Sequence, residues 1–301
     1  MSPVPERLFV MAGMPRAGTT SVYDALTHHP AVFLPFRKEV GYFSTRHHRG
    51  EAWYRAFFAG AAPGRICGDI SPDCFLHPDG VKRLQVFQPA PHIILAVREP
   101  ASWAVSFHRH LATFEWRVPP FAGFLTRHRI PDTGGFGFGH RRAQPEFSIA
   151  ASLIERTVEQ YRAAFGTRLL LYSFAHYARD PVGVLRAIET FLGLPPWFAD
   201  RAEWHVPINS RRRRHLKLVT FLLSREVVVA AAGSLLPGPL LQRLRLGRDR
   251  RAARQASGAV DPAEASDLEL ARRQLAGDAR YVEQLFAAAP IQLGDGTAFP
   301  G

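Results

Sequence analysis

The sequence predicts a three-layer α/β domain of the P-loop-like kind, with a central, mostly parallel sheet of about five strands flanked by helices. Three observations carry this. Short β-rich runs alternate with helical patterns along the chain. Two of those runs, Leu8-Phe-Val-Met-Ala12 and Ile93-Ile-Leu-Ala-Val97, are apolar at every position, as strands covered on both faces are. The first of them runs straight into a glycine- and hydroxyl-rich turn, Gly13 to Ser21, of the kind that opens a helix at an anion site.

The elements follow in order. Strands are predicted over residues 7–12, 31–35, 65–69, 92–98 and 168–173. A helix is predicted from Val22 to about His28, and another over Ala101 to His110. Ile149, Leu153, Ile154, Val158, Tyr161 and Phe165 lie close together on one helical face. Val184, Leu185, Ile188 and Leu192 mark a helix that Gly193 and Pro195 end. Leu268, Ala271, Leu275, Val282 and Leu285 predict one final helix. Two stretches break the alternation. Residues 115–147 are rich in Pro, Gly, Phe and Arg, which predicts a lid or acceptor insertion. Residues 247–262 are rich in Arg and Ala and read as a mobile basic connection. The whole, 1–301, reads as one domain.

Hydrophobic residues make up 47 % of the 301, enough for a large core. The most apolar long stretch, residues 216–241, is broken by Arg225 and Glu226, so no transmembrane segment is expected. The first residues show no signal-peptide core, and a cytoplasmic location is expected. Two cysteines, Cys67 and Cys74, exclude a disulfide framework and a cysteine zinc site, and no metal-ligand spacing appears, so no metal is expected. The net charge is +12, and only Lys38, Lys82 and Lys217 of the 38 basic residues are lysine. Arginine's planar fork suits phosphate and sulfate, although a GC-rich, bacterial genome also favours arginine.

The turn Gly13-Met-Pro-Arg-Ala-Gly-Thr-Thr-Ser21 places backbone N–H groups and a helix dipole at an anion. Gly18 permits close approach, Thr19, Thr20 and Ser21 supply hydroxyls, and Arg16 supplies charge. The spacing departs from the nucleotide-binding G-x-x-x-x-G-K-[ST] pattern, because Thr19 stands where that pattern has lysine. The segment resembles the 5′-phosphosulfate loop of PAPS-dependent sulfotransferases (PAPS is 3′-phosphoadenosine 5′-phosphosulfate). His29-Pro-Ala-Val-Phe-Leu-Pro35, Lys38-Glu-Val-Gly-Tyr-Phe43 and Gly68-Asp-Ile-Ser-Pro-Asp73 are similar to further elements of the glycosaminoglycan-type and bacterial members. The resemblance implies that Arg16, Ala17, Gly18, Thr19, Thr20 and Ser21 bind the donor PAPS. It also implies that Glu39 is the general base and Arg16 a catalytic cation.

Arg98 ends the fourth strand, where ligands of open α/β sheets bind, and Ser106 lies two turns into the next helix. Arg98-Glu-Pro100 through Ser106 resembles the family's 3′-phosphate segment. The later Asn209-Ser210 and the run Arg211, Arg212, Arg213 and Arg214 resemble its final cofactor segment, which adds Ser210, Arg213 and Arg214 as cofactor contacts. Two anion pockets, seeded by Arg16 and Arg98 at neighbouring strand tips, are thus expected to grip one nucleotide. Two departures stand out: Ser173-Phe174 replaces the usual Glu-Asp, and Ile70 replaces a common lysine.

The resemblance implies in-line transfer of a sulfuryl group from PAPS to a hydroxyl or amine of a carbohydrate, glycolipid or small natural product. Lys38, Asp69, Ser71, Trp116 and Phe136 are the expected acceptor contacts. Asp69, His47 and His48 are rival bases. A P-loop kinase or NTPase with a deviant loop is one alternative, and Thr19 speaks against it. A non-catalytic basic module is another, but no nucleic-acid-binding motif is present and no nucleic-acid partner is expected. Peripheral membrane contact and oligomeric state are left open by the sequence.

Overall fold

In the computed structural model, residues 6–114, 118–129, 146–199 and 262–296 are described. The chain order is β1 (Leu8–Gly13), α1 (Thr19–Thr27), β2 (Val32–Phe33), α2 (Glu51–Arg55), β3 (Ile66–Ile70), α3 (Gly80–Val86), β4 (His92–Val97) and α4 (Pro100–Phe114). There follow α5 (Phe121–Thr126), β5 (His128–Arg129), β6 (Glu146–Phe147), α6 (Leu153–Phe165), β7 (Leu169–Ser173), α7 (Phe174–Arg179) and α8 (Pro181–Phe191). The last elements are α9 (Pro262–Gln274), α10 (Ala276–Leu285) and β8 (Ile291–Leu293).

The main sheet has six strands in the order β2-β3-β1-β4-β7-β8. The five predicted strands are its parallel members, and β8 adds an antiparallel edge beside β7. At three residues β8 is too short to carry a period of its own; its partner β7 defines it. Every residue of β1 is buried, and so are Ile93 to Val97 of β4, which is why both runs are apolar throughout. This central pair is hydrogen-bonded side by side, so the loops leaving their carboxyl ends are neighbours.

Helices cover both faces through the apolar stripes the sequence shows. Leu153, Ile154, Val158, Tyr161 and Phe165 of α6 are buried, as are Val184, Leu185 and Ile188 of α8. The predicted final helix is two helices, α9 and α10, separated at Leu275. Asp278 of α10 then accepts hydrogen bonds from the N–H groups of Ile154 and Glu155, tying α10 to the first turn of α6. Within the expected insertion, α5 contributes Phe121, Phe124 and Leu125 to the core. Phe121 and Phe124 are buried, and both pack on the His108 ring. Residues 247–261 lie outside the described residues, as does most of the expected insertion.

Candidate functional site

The site begins at the tips of β1 and β4. Gly18 caps α1 with φ 79°, a left-handed conformation that glycine adopts without penalty. Arg16 is also left-handed, at φ 65°, and this turns its side chain back toward α4. Its Nε donates to Ser106 Oγ at 3.4 Å. Arg98 Nη1 donates to the Arg16 carbonyl at 2.8 Å, and Arg98 Nε to Ser102 Oγ at 3.3 Å. Trp103, fully buried in α4, donates from Nε1 to the Pro15 carbonyl at 2.9 Å. Helix α4 is thereby fastened to the anion loop at two points, with Arg98 bridging loop and helix as a third link, and the two arginines expected to seed separate pockets stand together.

The electrostatics of that pair are unusual. Burial lowers the Arg16 pKa, with Glu39 partly offsetting it. Burial, and then the adjacent Arg16 charge, push Arg98 down to about 10. Glu99, the carboxylate next in sequence, caps α4 instead, accepting from the N–H groups of Ala101 and Ser102 at 2.8 and 2.7 Å. The Arg98 guanidinium lies 5.0 Å from the centre of the Phe174 ring. Among the described residues neither arginine has a carboxylate within ion-pair distance. Two crowded, partly desolvated cations, with no carboxylate in contact among the described residues and Glu39 and Glu99 acting on them only through space, suit a bound anion.

The other loop hydroxyls divide. Thr20 is exposed, Thr19 is buried, and Ala17 is buried in the core. Ser21 Oγ lies 2.7 Å from the Tyr177 hydroxyl, so it faces α7. Phe174 and Tyr177 also flank Gly18, where an added Cβ would lie 3.1 and 3.2 Å from their rings.

Glu39 lies on the loop after β2 and acts electrostatically on Arg16. It is left-handed at φ 64°, and its N–H donates to the Ile70 carbonyl at the end of β3. Its side chain is 40 % exposed, and Oε1 lies 2.5 Å from Nζ of the buried Lys38. The Glu39 charge acts on Arg16 through space and opposes the lowering that burial causes. Asp69 and Ser71 lie behind this segment and are fully buried, so neither presents an atom to the open crevice. Ser71 Oγ donates to Asp69 Oδ1 at 2.6 Å and accepts from the Gly41 N–H at 3.0 Å. Burial pushes the Asp69 pKa up to about 7; the Ser71 hydroxyl opposes this, Asp73 adds to it, and the Tyr54 hydroxyl also opposes it. Ser210, Arg213, Arg214, Trp116 and Phe136 lie outside the described residues.

Several site residues carry no signal in the sequence. Trp103, Phe174, Tyr177, Arg46 and Tyr54 act through contacts with distant or folded-back segments that no spacing marks. Three histidines have structural partners: His29 is buried against Glu189, His108 lies 2.9 Å from the Pro119 carbonyl, and His47 packs on Tyr42, whereas His48 is exposed. Among the described residues no three metal-ligating side chains converge, and no helix is long and apolar enough to cross a membrane.

The chain is 24 % identical over 193 residues to heparan sulfate glucosamine 3-O-sulfotransferase 3B1 of Mus musculus, a match covering 64 % of this chain and 47 % of that protein. It is 26 % identical over 201 residues to the bifunctional heparan sulfate N-deacetylase/N-sulfotransferase 4 of Mus musculus, covering 63 % of this chain and 22 % of that one. The chain is thus similar in sequence to heparan sulfate sulfotransferases. The chain spans about half the length, or less, of those relatives. No family model matches it. A solved structure of a sulfotransferase from Alicyclobacillus acidocaldarius aligns with a TM-score of 0.49 at 22 % identity, over 65 % of this chain and 85 % of that one.

Proposed function

We propose that the protein transfers a sulfuryl group from PAPS to a hydroxyl or amine of a carbohydrate or small natural product. The supporting observation is the Arg16–Arg98 pair at the mouth of α1, partnered among the described residues by hydroxyls, a carbonyl and a ring and by no carboxylate in contact. That donor set fits a nucleotide with anionic groups at both its 5′ and 3′ positions. Arg16, the α1 N-terminus and Thr20 hold the 5′ end, and Arg98 with Ser106 holds the 3′-phosphate. PAPS, when bound, supplies the sulfuryl group on a good leaving group.

The chain's own residues do three things. Arg16 and the loop N–H groups offset the charge that grows on the departing phosphate, and losing one such donor typically costs ~10²–10³ in rate. Glu39 takes the acceptor's proton as the acceptor oxygen or nitrogen bonds to sulfur and the sulfur–phosphate oxygen bond breaks. The other product is adenosine 3′,5′-bisphosphate. Lys38 fixes one Glu39 oxygen, so the carboxylate meets the acceptor in a set orientation. The relatives' names point to aminosugar polymers, so an N-sulfated heparan oligosaccharide is the first acceptor to try.

Calorimetry with adenosine 3′,5′-bisphosphate against ADP tests the reading. Selective binding of the bisphosphate, weakened about tenfold or more in Arg98→Ala, is the expected result. Equal binding of both nucleotides, or of neither, rejects it.

A further inference from the structure

Glu39 owes its place to a backbone conformation that a residue with a side chain rarely takes. Its φ is 64°, and two residues later Gly41 is at 73°. Two left-handed residues so close together make a tight kink, and such strain persists only when surrounding contacts over-determine it. The contacts are on both sides. From β3, the Ile70 carbonyl accepts the Glu39 N–H at 3.1 Å, and Ser71 Oγ accepts the Gly41 N–H at 3.0 Å. From the opposite side comes Arg46, which is 4 % exposed. Its Nη1 donates to the Val40 carbonyl at 2.7 Å and to the Glu39 carbonyl at 3.1 Å. Its own N–H donates to the Gly41 carbonyl at 2.9 Å.

The position of the arginine is itself built in. Asp73 is buried, the Arg46 and Glu39 charges both act on it, and it accepts a hydrogen bond from Ser44. Gly41 leaves room for the guanidinium, since a Cβ there would lie 2.8 Å from Nη1. A buried arginine spanning two consecutive carbonyls, beside a glycine that admits it, is a clasp on the one segment that carries the exposed carboxylate.

We infer that Arg46 is the positioning residue for Glu39: it closes the kink at Glu39, Val40 and Gly41 and so aims the carboxylate at the Arg16 crevice. Arg46 is buried and acts through the backbone of Glu39 and Val40. The inference rests on the reading of Glu39 as the base.

The test uses three variants of the full chain. Arg46→Met removes the donors and keeps an apolar stem. Arg46→Lys keeps charge near Asp73 on a shorter reach. Gly41→Ala disturbs the same contact from the other side, and serves where Arg46→Met does not fold. The readouts are the Glu39 backbone in a crystal structure, calorimetric affinity for adenosine 3′,5′-bisphosphate, and release of that bisphosphate from PAPS with an N-sulfated heparan oligosaccharide or water as acceptor. In Arg46→Met and Gly41→Ala, Glu39 leaves the left-handed region and bisphosphate release falls about tenfold to a hundredfold, while bisphosphate affinity stays within about twofold. Arg46→Lys lies between these and the native protein. A Glu39 φ that stays near 64° in Arg46→Met, or in Gly41→Ala where that variant stands in, overturns the proposal. So does an unchanged release rate in a protein whose Glu39→Gln variant is inactive. A native rate in Glu39→Gln instead rejects the base assignment, while the backbone readout still judges the clasp.

Discussion

Replacing Asp69 with asparagine should make the protein's stability less sensitive to pH, by an amount the site geometry sets. The Asp69 carboxyl is completely buried, and burial raises its pKa from 3.8 to about 7. The folded chain therefore keeps a proton that the unfolded chain gives up. Below pH 3.8 both states are protonated and the group costs nothing. As pH rises from there to about 7, unfolding releases a proton and stability falls; above about 7 the loss is complete. A shift of about three units corresponds to about 4 kcal/mol in total, of which about 2.5 kcal/mol falls between pH 5 and pH 8. Asparagine can still accept the Ser71 hydrogen bond, so it preserves the local geometry while removing the titration. Urea unfolding of both proteins at pH 5 and pH 8 measures the effect. The native protein should lose about 2.5 kcal/mol relative to Asp69→Asn on going to the higher pH. An equal gap between the two proteins at both pH values refutes the assignment of a buried, protonated Asp69.

Three further outcomes are expected. Glu39→Gln should keep its affinity for adenosine 3′,5′-bisphosphate while bisphosphate release from PAPS falls ~10²-fold or more, measured by isothermal calorimetry and by chromatography of the products. Phe174→Leu should weaken the bisphosphate about three- to tenfold and leave ADP binding unchanged, because the ring beneath Arg98 is lost, whereas Phe174→Tyr should retain native affinity. Gly18→Ala should destabilise the fold by about 1–2 kcal/mol in urea, since φ there is 79° and the new methyl meets Phe174 and Tyr177.

The parallel core was legible because its signals are local. A strand buried on both faces must be apolar at every position, so residues 8–12 and 93–97 announce themselves without any knowledge of their partners. The glycine turn after β1 and the arginine ending β4 were legible for the same reason: each sits at a strand-to-helix junction that the pattern marks. The edge strand β8 was not, because three residues gain their conformation from pairing with β7. Nor was the break between α9 and α10, where a single apolar periodicity continues through Leu275.

Within the site the same division holds. The residue types and their order along the chain determined which groups carry charge and which strand tips present them. Folding decided which way those groups face. It turned Asp69 and Ser71 inward, where the motif alone makes them look available to an acceptor. It gave the Glu99 carboxylate to the first turn of α4, so that Glu99 acts on Arg98 through space and not by contact. It brought Phe174 under Arg98 and Arg46 across the carbonyls of Glu39 and Val40. The physical reason is range: propensity and periodicity act over a few residues, whereas burial and hydrogen-bond partners are set by segments that meet only when the sheet closes.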